Sequence, residues 1–401
     1  MRNRYFDLLR AAAIIRVVVY HATGWAALTI VFPAMGVMFA LAGSLMAASL
    51  DRHGVRALVR RARRLLPPLW AIAAVMVPAM ILTGLHPTWR LVFWLVPLQD
   101  PPSNTWGSGV LGIVWYLREY LWFVLLSPLA LPLFRRWPLP TLAVPIAALV
   151  AMELGVPRVP VLKEFAIFFG CWLIGFAHHD GRLRRMNRWL LVSLAVAASG
   201  LGAAWFLMHP SHRGFDLNDI PLGDALWSTG FVLLLIGFAP ANIRWLDRWH
   251  GLSSLVTVLN RRAVTVYLWH PTVIVGLGLA LGAIGWVVPG PVGMILWIGA
   301  VGIAVCLPVM AIGWIEDLAA GRRIRSLTSA PRPDETPRSA PTERPAPTPR
   351  PAPTPRPAPT APSTRGAEPR PTPAGRPAPA GRPAPAGRPA AALTGTGTGR
   401  R

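Results

Sequence analysis

Apolar positions in this chain gather in long unbroken runs instead of alternating with polar ones. Runs of about 18 to 25 residues match the ~30 Å hydrocarbon core of a bilayer at 1.5 Å rise per residue. Ten such spans follow one another, at about 8–30, 32–50, 67–85, 109–134, 139–155, 161–178, 189–208, 222–240, 263–284 and 291–315. A soluble enzyme shows shorter, amphipathic segments. The pattern therefore predicts an all-α fold: a polytopic membrane helix bundle of about ten transmembrane helices. The apolar stretch 89–98, opening Trp89-Arg90-Leu91-Val92-Phe93-Trp94, is too short to span and reads as an interfacial or re-entrant piece. The first run carries Arg10, Arg16 and His21 and lacks a credible cleavage site, so it reads as a retained helix and not a secretory signal.

Polar positions then orient the bundle. With the N-terminus cytoplasmic, the inner segments carry twenty-one arginines, among them Arg52 to Arg64 and Arg182 to Arg188, against Arg90, Arg158 and Arg213 outside. This asymmetry predicts a multi-pass protein of the cell (plasma or inner) membrane with both termini cytoplasmic. Trp and Tyr at many span ends fit interfacial belts.

Composition divides the chain once. Residues 1–320 form the transmembrane domain, and 321–401 a Pro/Ala/Arg-rich tail. From 326 onward, twelve Arg stand against Asp334, Glu335, Glu343 and Glu368, a net +8. Such a segment cannot bury enough apolar surface to offset chain entropy, so it is expected to be disordered with polyproline II character. It reads as a solvated cytoplasmic tail or a tether to anionic lipid. The formal charge of +23, nearly all Arg, with Lys163 the single Lys, raises nucleic acid as a partner. The arginines mark one side of the membrane instead, so the bilayer is the expected partner and nucleic acid is not. Cys171 and Cys306 fall inside apolar spans and read as packing residues; no metal site is expected.

Ionisable groups within a span are costly unless paired or hydrated, which makes them functional candidates. Arg10 and His21 lie eleven positions apart, 20° past three full turns, so they share one helix face ~16 Å apart along the axis. Asp7 lies on the same face, placed to pair with Arg10, whereas Arg16 points elsewhere. A cation at the inner end and an imidazole in the outer half suit thioester transfer. Coenzyme A is cytosolic and polyanionic, so its phosphates need Arg at the inner mouth. Its slender arm reaches well over ~10 Å, and a base at the far end must deprotonate a hydroxyl, a task for which His is best matched near neutral pH. A core His with a snorkelling Arg10 is the alternative. Arg60, Arg61, Arg63 and Arg64, before Leu65-Leu66-Pro67-Pro68, form either a topology-setting cluster or a phosphate site.

These motifs resemble the acyltransferase 3 family of membrane O-acyltransferases. Asp7-Leu8-Leu9-Arg10-Ala11 with Val18-Val19-Tyr20-His21 is similar to the family's opening helix. Met35 to Gly43 resembles its second-span glycine motif, with Ala42 where a Ser is common; Arg61 and Arg64 before Leu65-Leu66-Pro67 resemble its paired-Arg motif. Trp115-Tyr116-Leu117 and Leu125-Leu126-Ser127-Pro128 resemble a middle helix in which many members carry a Glu, here Glu119 offset by a position or two. Tyr267-Leu268-Trp269-His270-Pro271 resembles a late motif ending in His. The resemblance implies an O-acyltransferase that moves an acyl group, acetyl expected, from cytosolic acyl-CoA to a hydroxyl of a glycan, a glycolipid or a secondary metabolite. It implies His21 as catalytic base and Arg10, Arg61 and Arg64 as the acyl-CoA site. Glu119 lies near the depth of His21, placed either to orient it or to form a structural ion pair, although Arg118 and Glu119, about 100° apart, are not expected to pair with each other. His270 and Asp7 are further candidates. Asp216, Asn218 and Asp219 in the outer loop 209–221 are candidates for binding acceptor hydroxyls. A transporter or flippase with charges lining a path is the alternative function, and a structural or sensory protein working through its basic tail is another.

Overall fold

The computed structural model describes residues 3–240, 243–286 and 288–321. The expected disordered tail, apart from Gly321, lies outside the described residues. The described residues are helical, with no strand among them. Helix α1 (Arg4–Thr23) starts at Asn3, whose side-chain oxygen accepts from the N–H groups of Tyr5 and Phe6. It stops at Gly24, which takes φ 69° and caps it. Then follow α2 (Ala34–His53), α3 (Arg56–Leu82), α4 (Trp115–Arg136), α5 (Pro138–Glu153), α6 (Pro160–His179), α7 (Arg188–Met208), α8 (Pro221–Gly237), α9 (His250–Arg261), α10 (Ala263–Ala283), α11 (Gly290–Ala304) and α12 (Cys306–Ala319).

Among the described residues, seven helical stretches are long and apolar enough to cross a bilayer by length and composition: Ala27–His53, Arg56–Leu82, Gly112–Arg136, Pro160–His179, Arg188–Met208, Ala263–Ala283 and Gly290–Ala319. Helices α5 and α8 are apolar but shorter, and α1 has 20 residues but carries Asp7, Arg10 and Arg16. Together these ten match the ten apolar runs. Three boundaries differ from the pattern, one being the break of the tenth run at Val305 between α11 and α12. The first run is broken at Gly24 and resumes as a short helix, Ala27–Val31, and α3 begins eleven residues before its apolar stretch. Arginine is a good helix former, so the basic run 60–64 extends α3. The region 89–98 forms a 3₁₀ turn, Trp89–Trp94, anchored by buried Trp94, whose indole N–H donates to the Pro102 carbonyl at 3.1 Å.

Helices α2 and α6 form the centre of the bundle and pack along one another. With no hydrophobic driving force between helices in lipid, small residues that bring backbones together carry the association. A Cβ on Gly43 would stand 2.3 Å from the Trp172 carbonyl oxygen, and one on Gly175 would stand 2.2 Å from that of Ala40. Gly43→Leu is therefore expected to cost about 1–3 kcal/mol of stability, read as a lowered Tm in detergent; an unchanged Tm would show that this crossing relaxes freely. At the end of the bundle where α2, α4 and α6 meet, the Arg135 guanidinium grips Asp51 (2.8 and 2.9 Å) and Asp180 (2.7 and 3.1 Å) together.

Candidate active site

Helix α1 contributes to two clefts at different heights. Toward its start, Arg10 lines a cleft with Arg61 and Arg64 of α3, Tyr116 and Tyr120 of α4, Asn260 of α9, and Tyr267. The three arginines expected to act together are thus brought together from two helices. Arg61 and Arg64, three residues apart, present on one face; Arg60, Arg63 and Arg64 are all exposed, but Arg60 and Arg63 do not line this cleft. Arg61 Nη1 donates to the Tyr120 hydroxyl at 3.3 Å, and Arg10 Nη1 to Asn260 Oδ1 at 3.2 Å. Asn260 Nδ2 donates in turn to the backbone carbonyl of Asp7 (2.7 Å), so Asn260 fixes the face of α1 that Asp7 and Arg10 share. Asp7 is buried.

Toward the other end of α1, His21 lines a second cleft with Arg16, Tyr20, Trp115, Lys163, Glu164, Phe168, Asn218, Asp224 and Tyr267. The imidazole is exposed to this cleft. Its Nδ1 lies 2.9 Å from the Val17 carbonyl, one turn back on α1. A carbonyl only accepts, so Nδ1 carries the proton and Nε2 has its lone pair free, the tautomer a general base requires. Trp115 stacks on Phe168 (5.6 Å, 21°) and leaves an aromatic face in the cleft. The two clefts share Tyr267, whose ring lies 4.9 Å from that of Tyr116. Its hydroxyl donates to the Ile113 carbonyl at 2.9 Å.

The roof of the His21 cleft is the 209–221 loop. Tyr20 donates to Asp216 Oδ2 at 2.6 Å, and the Leu217 N–H donates to Thr29. Asp216 is thus buried and engaged in holding the loop to α1, not presented to a ligand. Asp219 is gripped by Arg213 (2.6 and 2.7 Å), whose charge holds its carboxyl below the usual carboxylate range. Of the three loop candidates, Asn218 alone lines the cleft.

Other expectations need correction. Arg118 and Glu119 do pair, with Arg118 Nε 2.9 Å from Glu119 Oε1. The guanidinium is long enough to fold back over its neighbour, which a Cα-direction argument misses. Arg118 also meets Asp100 and Glu164, so the buried Arg118–Glu119 pair belongs to a charge cluster that reaches the surface at exposed Asp100. Two acids, Glu164 and Asp224, line the His21 cleft; Glu119 does not, and its Oε1 accepts from Arg118 instead. Arg16 likewise lines the cleft that its helical angle pointed it away from: its Nε donates to the Leu28 carbonyl (2.9 Å) and its guanidinium sits 5.1 Å over Tyr20. His270 is fully buried on α10, and its Nε2 lies 3.3 Å from His21 Nδ1. Asp224 and Asn260 lie in none of the motifs, and Trp115 lies in one that assigns it no role; isolated acidic and amide residues carry no spacing signal. One group among the described residues, Asp51, His179 and Asp180, has donor spacing suited to a cation, but Arg135 already bridges its two carboxylates and it lines neither cleft.

Fold and site together define a membrane-embedded enzyme with a cationic cleft and a histidine cleft set back to back. A family model described as an acyltransferase domain, that of the acyltransferase 3 family, matches residues 3–314. The chain belongs to this family and is an acyltransferase. It is 28% identical over 271 residues, 61% of this chain and 78% of the relative, to the exopolysaccharide production protein ExoZ of Rhizobium meliloti. It is 32% identical over 165 residues, 33% of this chain and 45% of the relative, to nodulation protein 10 of Rhizobium leguminosarum bv. viciae. No solved structure matches.

Proposed function

We propose that this acyltransferase takes an acyl group, acetyl in the simplest case, from cytosolic acyl-CoA and places it on a hydroxyl of a carbohydrate acceptor. In this reading both termini are cytoplasmic and the cleft of Arg10, Arg61 and Arg64 opens to the cytosol, where guanidinium groups hold the nucleotide phosphates. The pantetheine arm passes Tyr116 and Tyr267 to bring the thioester to His21. The acceptor enters from the opposite side, between Trp115 and Asn218. An aromatic face beside amide, carboxylate and guanidinium groups suits a ring with an apolar face and a rim of hydroxyls. The printed name of one relative, a protein of exopolysaccharide production, supports a glycan acceptor.

The reaction needs one base and no redox step. His21 Nε2 takes the acceptor hydroxyl proton, and the oxygen attacks the thioester carbonyl. The C–S bond breaks, and the thiolate leaves with the proton from His21 as coenzyme A thiol. The observation that carries the reading is the back-to-back arrangement: the base and the arginine cluster line two clefts that meet at one residue, Tyr267. Purified protein in detergent, given acetyl-CoA and a panel of oligosaccharides, is expected to release coenzyme A thiol in step with ester formation on the sugar. Thioester consumption absent across the panel in a folded, monodisperse preparation would discard the reading.

A further inference from the structure

Two imidazoles 249 positions apart meet inside the bundle, and their hydrogen bonds have a direction. His270 Nδ1 lies 3.2 Å from the Val266 carbonyl, one turn back on α10, just as His21 Nδ1 lies 2.9 Å from Val17. Each carbonyl can only accept, so each Nδ1 is the protonated nitrogen. Neutral His270 therefore has its lone pair on Nε2, and that atom lies 3.3 Å from the N–H of His21. The rings are 4.9 Å apart at 65°, an edge-on placement that suits N–H to lone-pair donation and not stacking. A second proton on His270 would set one N–H against the other. His270 has no exposed surface, so water does not compete for its Nε2 lone pair. Pro271 follows it inside α10 and has no N–H to give to the Tyr267 carbonyl one turn back.

We infer that His270 is a positioning residue for His21: it accepts the His21 Nδ1–H, jointly with Val17, and so fixes the tautomer and aim of the base. The inference rests on His21 acting as the base in the reaction proposed above. When Nε2 of His21 takes the hydroxyl proton, the ring becomes an imidazolium. A hydrogen bond from a charged donor is stronger than one from a neutral donor. The Nδ1–H to His270 bond therefore strengthens as the proton arrives, which favours the transition state over the ground state. His270 does not itself change protonation; the proton returns from His21 Nε2 to the departing thiolate. A neutral imidazole here takes the place that a carboxylate holds in the serine-protease triad, orienting the base from behind.

The test compares full-length wild type with His270→Gln, His270→Asn and His270→Ala, each also made in a His21→Ala background, with acetyl-CoA as donor. Gln sets its amide oxygen near the Nε2 position and accepts the His21 N–H. Asn reaches only the Nδ1 position, keeps the bond to Val266 and lacks that acceptor. Asn and Ala are expected to lower kcat about 10- to 100-fold, the scale of a hydrogen bond to a charged group, with the donor KM within twofold. Gln is expected to recover most of the loss. In the His21→Ala background the His270 changes are expected to have no further effect, since both residues serve one function. Equal losses in Gln and Asn, a kcat within twofold of wild type for Asn, or the same loss repeated without His21 would each overturn the inference. The Gln–Asn comparison keeps the test decisive if the Ala variant does not fold. Absence of wild-type turnover would instead count against the reaction assigned to the site.

Discussion

Replacing His21 with Ala is expected to lower kcat for acyl transfer by roughly 10²–10⁴-fold, the usual contribution of a general base, while acetyl-CoA still binds. The second clause distinguishes a base from a structural core histidine. His21 is exposed to its cleft and its hydrogen bonds run to Val17 and His270, so removing the ring opens space toward the cleft and leaves no charged partner stranded. The Arg10 end of α1 is held separately, through Asn260. The proposed donor site should therefore survive, and the loss should fall on kcat with donor KM within a few fold. Steady-state kinetics on detergent-purified protein, with a thermal melt as folding control, make the measurement. Wild-type turnover in His21→Ala would remove the base from the mechanism. A large loss accompanied by a collapsed melt would assign the residue to folding.

How far this site could be read in the sequence depended on whether helix periodicity carried the information. Arg10 and His21 lie on one continuous helix, and the 100° step placed them on a common face; both line clefts along α1. Arg61 and Arg64 were picked out of the run 60–64 by the resemblance to the paired-Arg motif, not by periodicity. What periodicity gives is the direction of a Cβ, and long side chains depart from it. Arg16 folds back under the Leu28 carbonyl into the His21 cleft, and Arg118 wraps onto its own neighbour Glu119. Both errors come from treating guanidinium groups as if they stayed on the helical ray. Contacts between distant helices were not legible at all. Asn260 meets Arg10 across 250 positions, and Glu164 rather than Glu119 faces the cleft with His21, because α6 and α9 are brought there by packing that no local pattern encodes. The fold itself was read from run length. The misplaced boundaries, at Gly24 and at the start of α3, arise where a helix ends by capping or continues through charge and not where hydropathy changes.

In the proposed donor site, Arg61→Ala and Arg64→Ala are each expected to raise the KM for acetyl-CoA about 10- to 100-fold, and the double variant to abolish saturable use of the donor. A hydrogen bond to a charged group contributes about 1.5–3 kcal/mol, and each 1.4 kcal/mol is tenfold in affinity. Exposed neighbours separate phosphate binding from membrane topology. Arg60 and Arg63 sit in the same basic run but outside the cleft, so if the run serves only to orient the protein, Arg60→Ala/Arg63→Ala should be as damaging as Arg61→Ala/Arg64→Ala. If the cleft binds phosphate, that pair should leave KM near wild type. The donor offers a second separation. S-acetyl-pantetheine has the same thioester and arm but no phosphate, so it should be a poor donor whose KM is indifferent to Arg61 and Arg64. Rising salt should weaken acetyl-CoA in wild type more than in the double variant, because screening acts on the charges the variant has lost. Arg10 should behave differently again. It is half-buried and bonded to Asn260, so Arg10→Ala should raise KM and also lower kcat, by loosening the helix that carries His21. If KM for acetyl-pantetheine rose in step with that for acetyl-CoA in the Arg61 and Arg64 variants, the arginines would be shaping the cleft and not binding the nucleotide, and the donor assignment would fall with them.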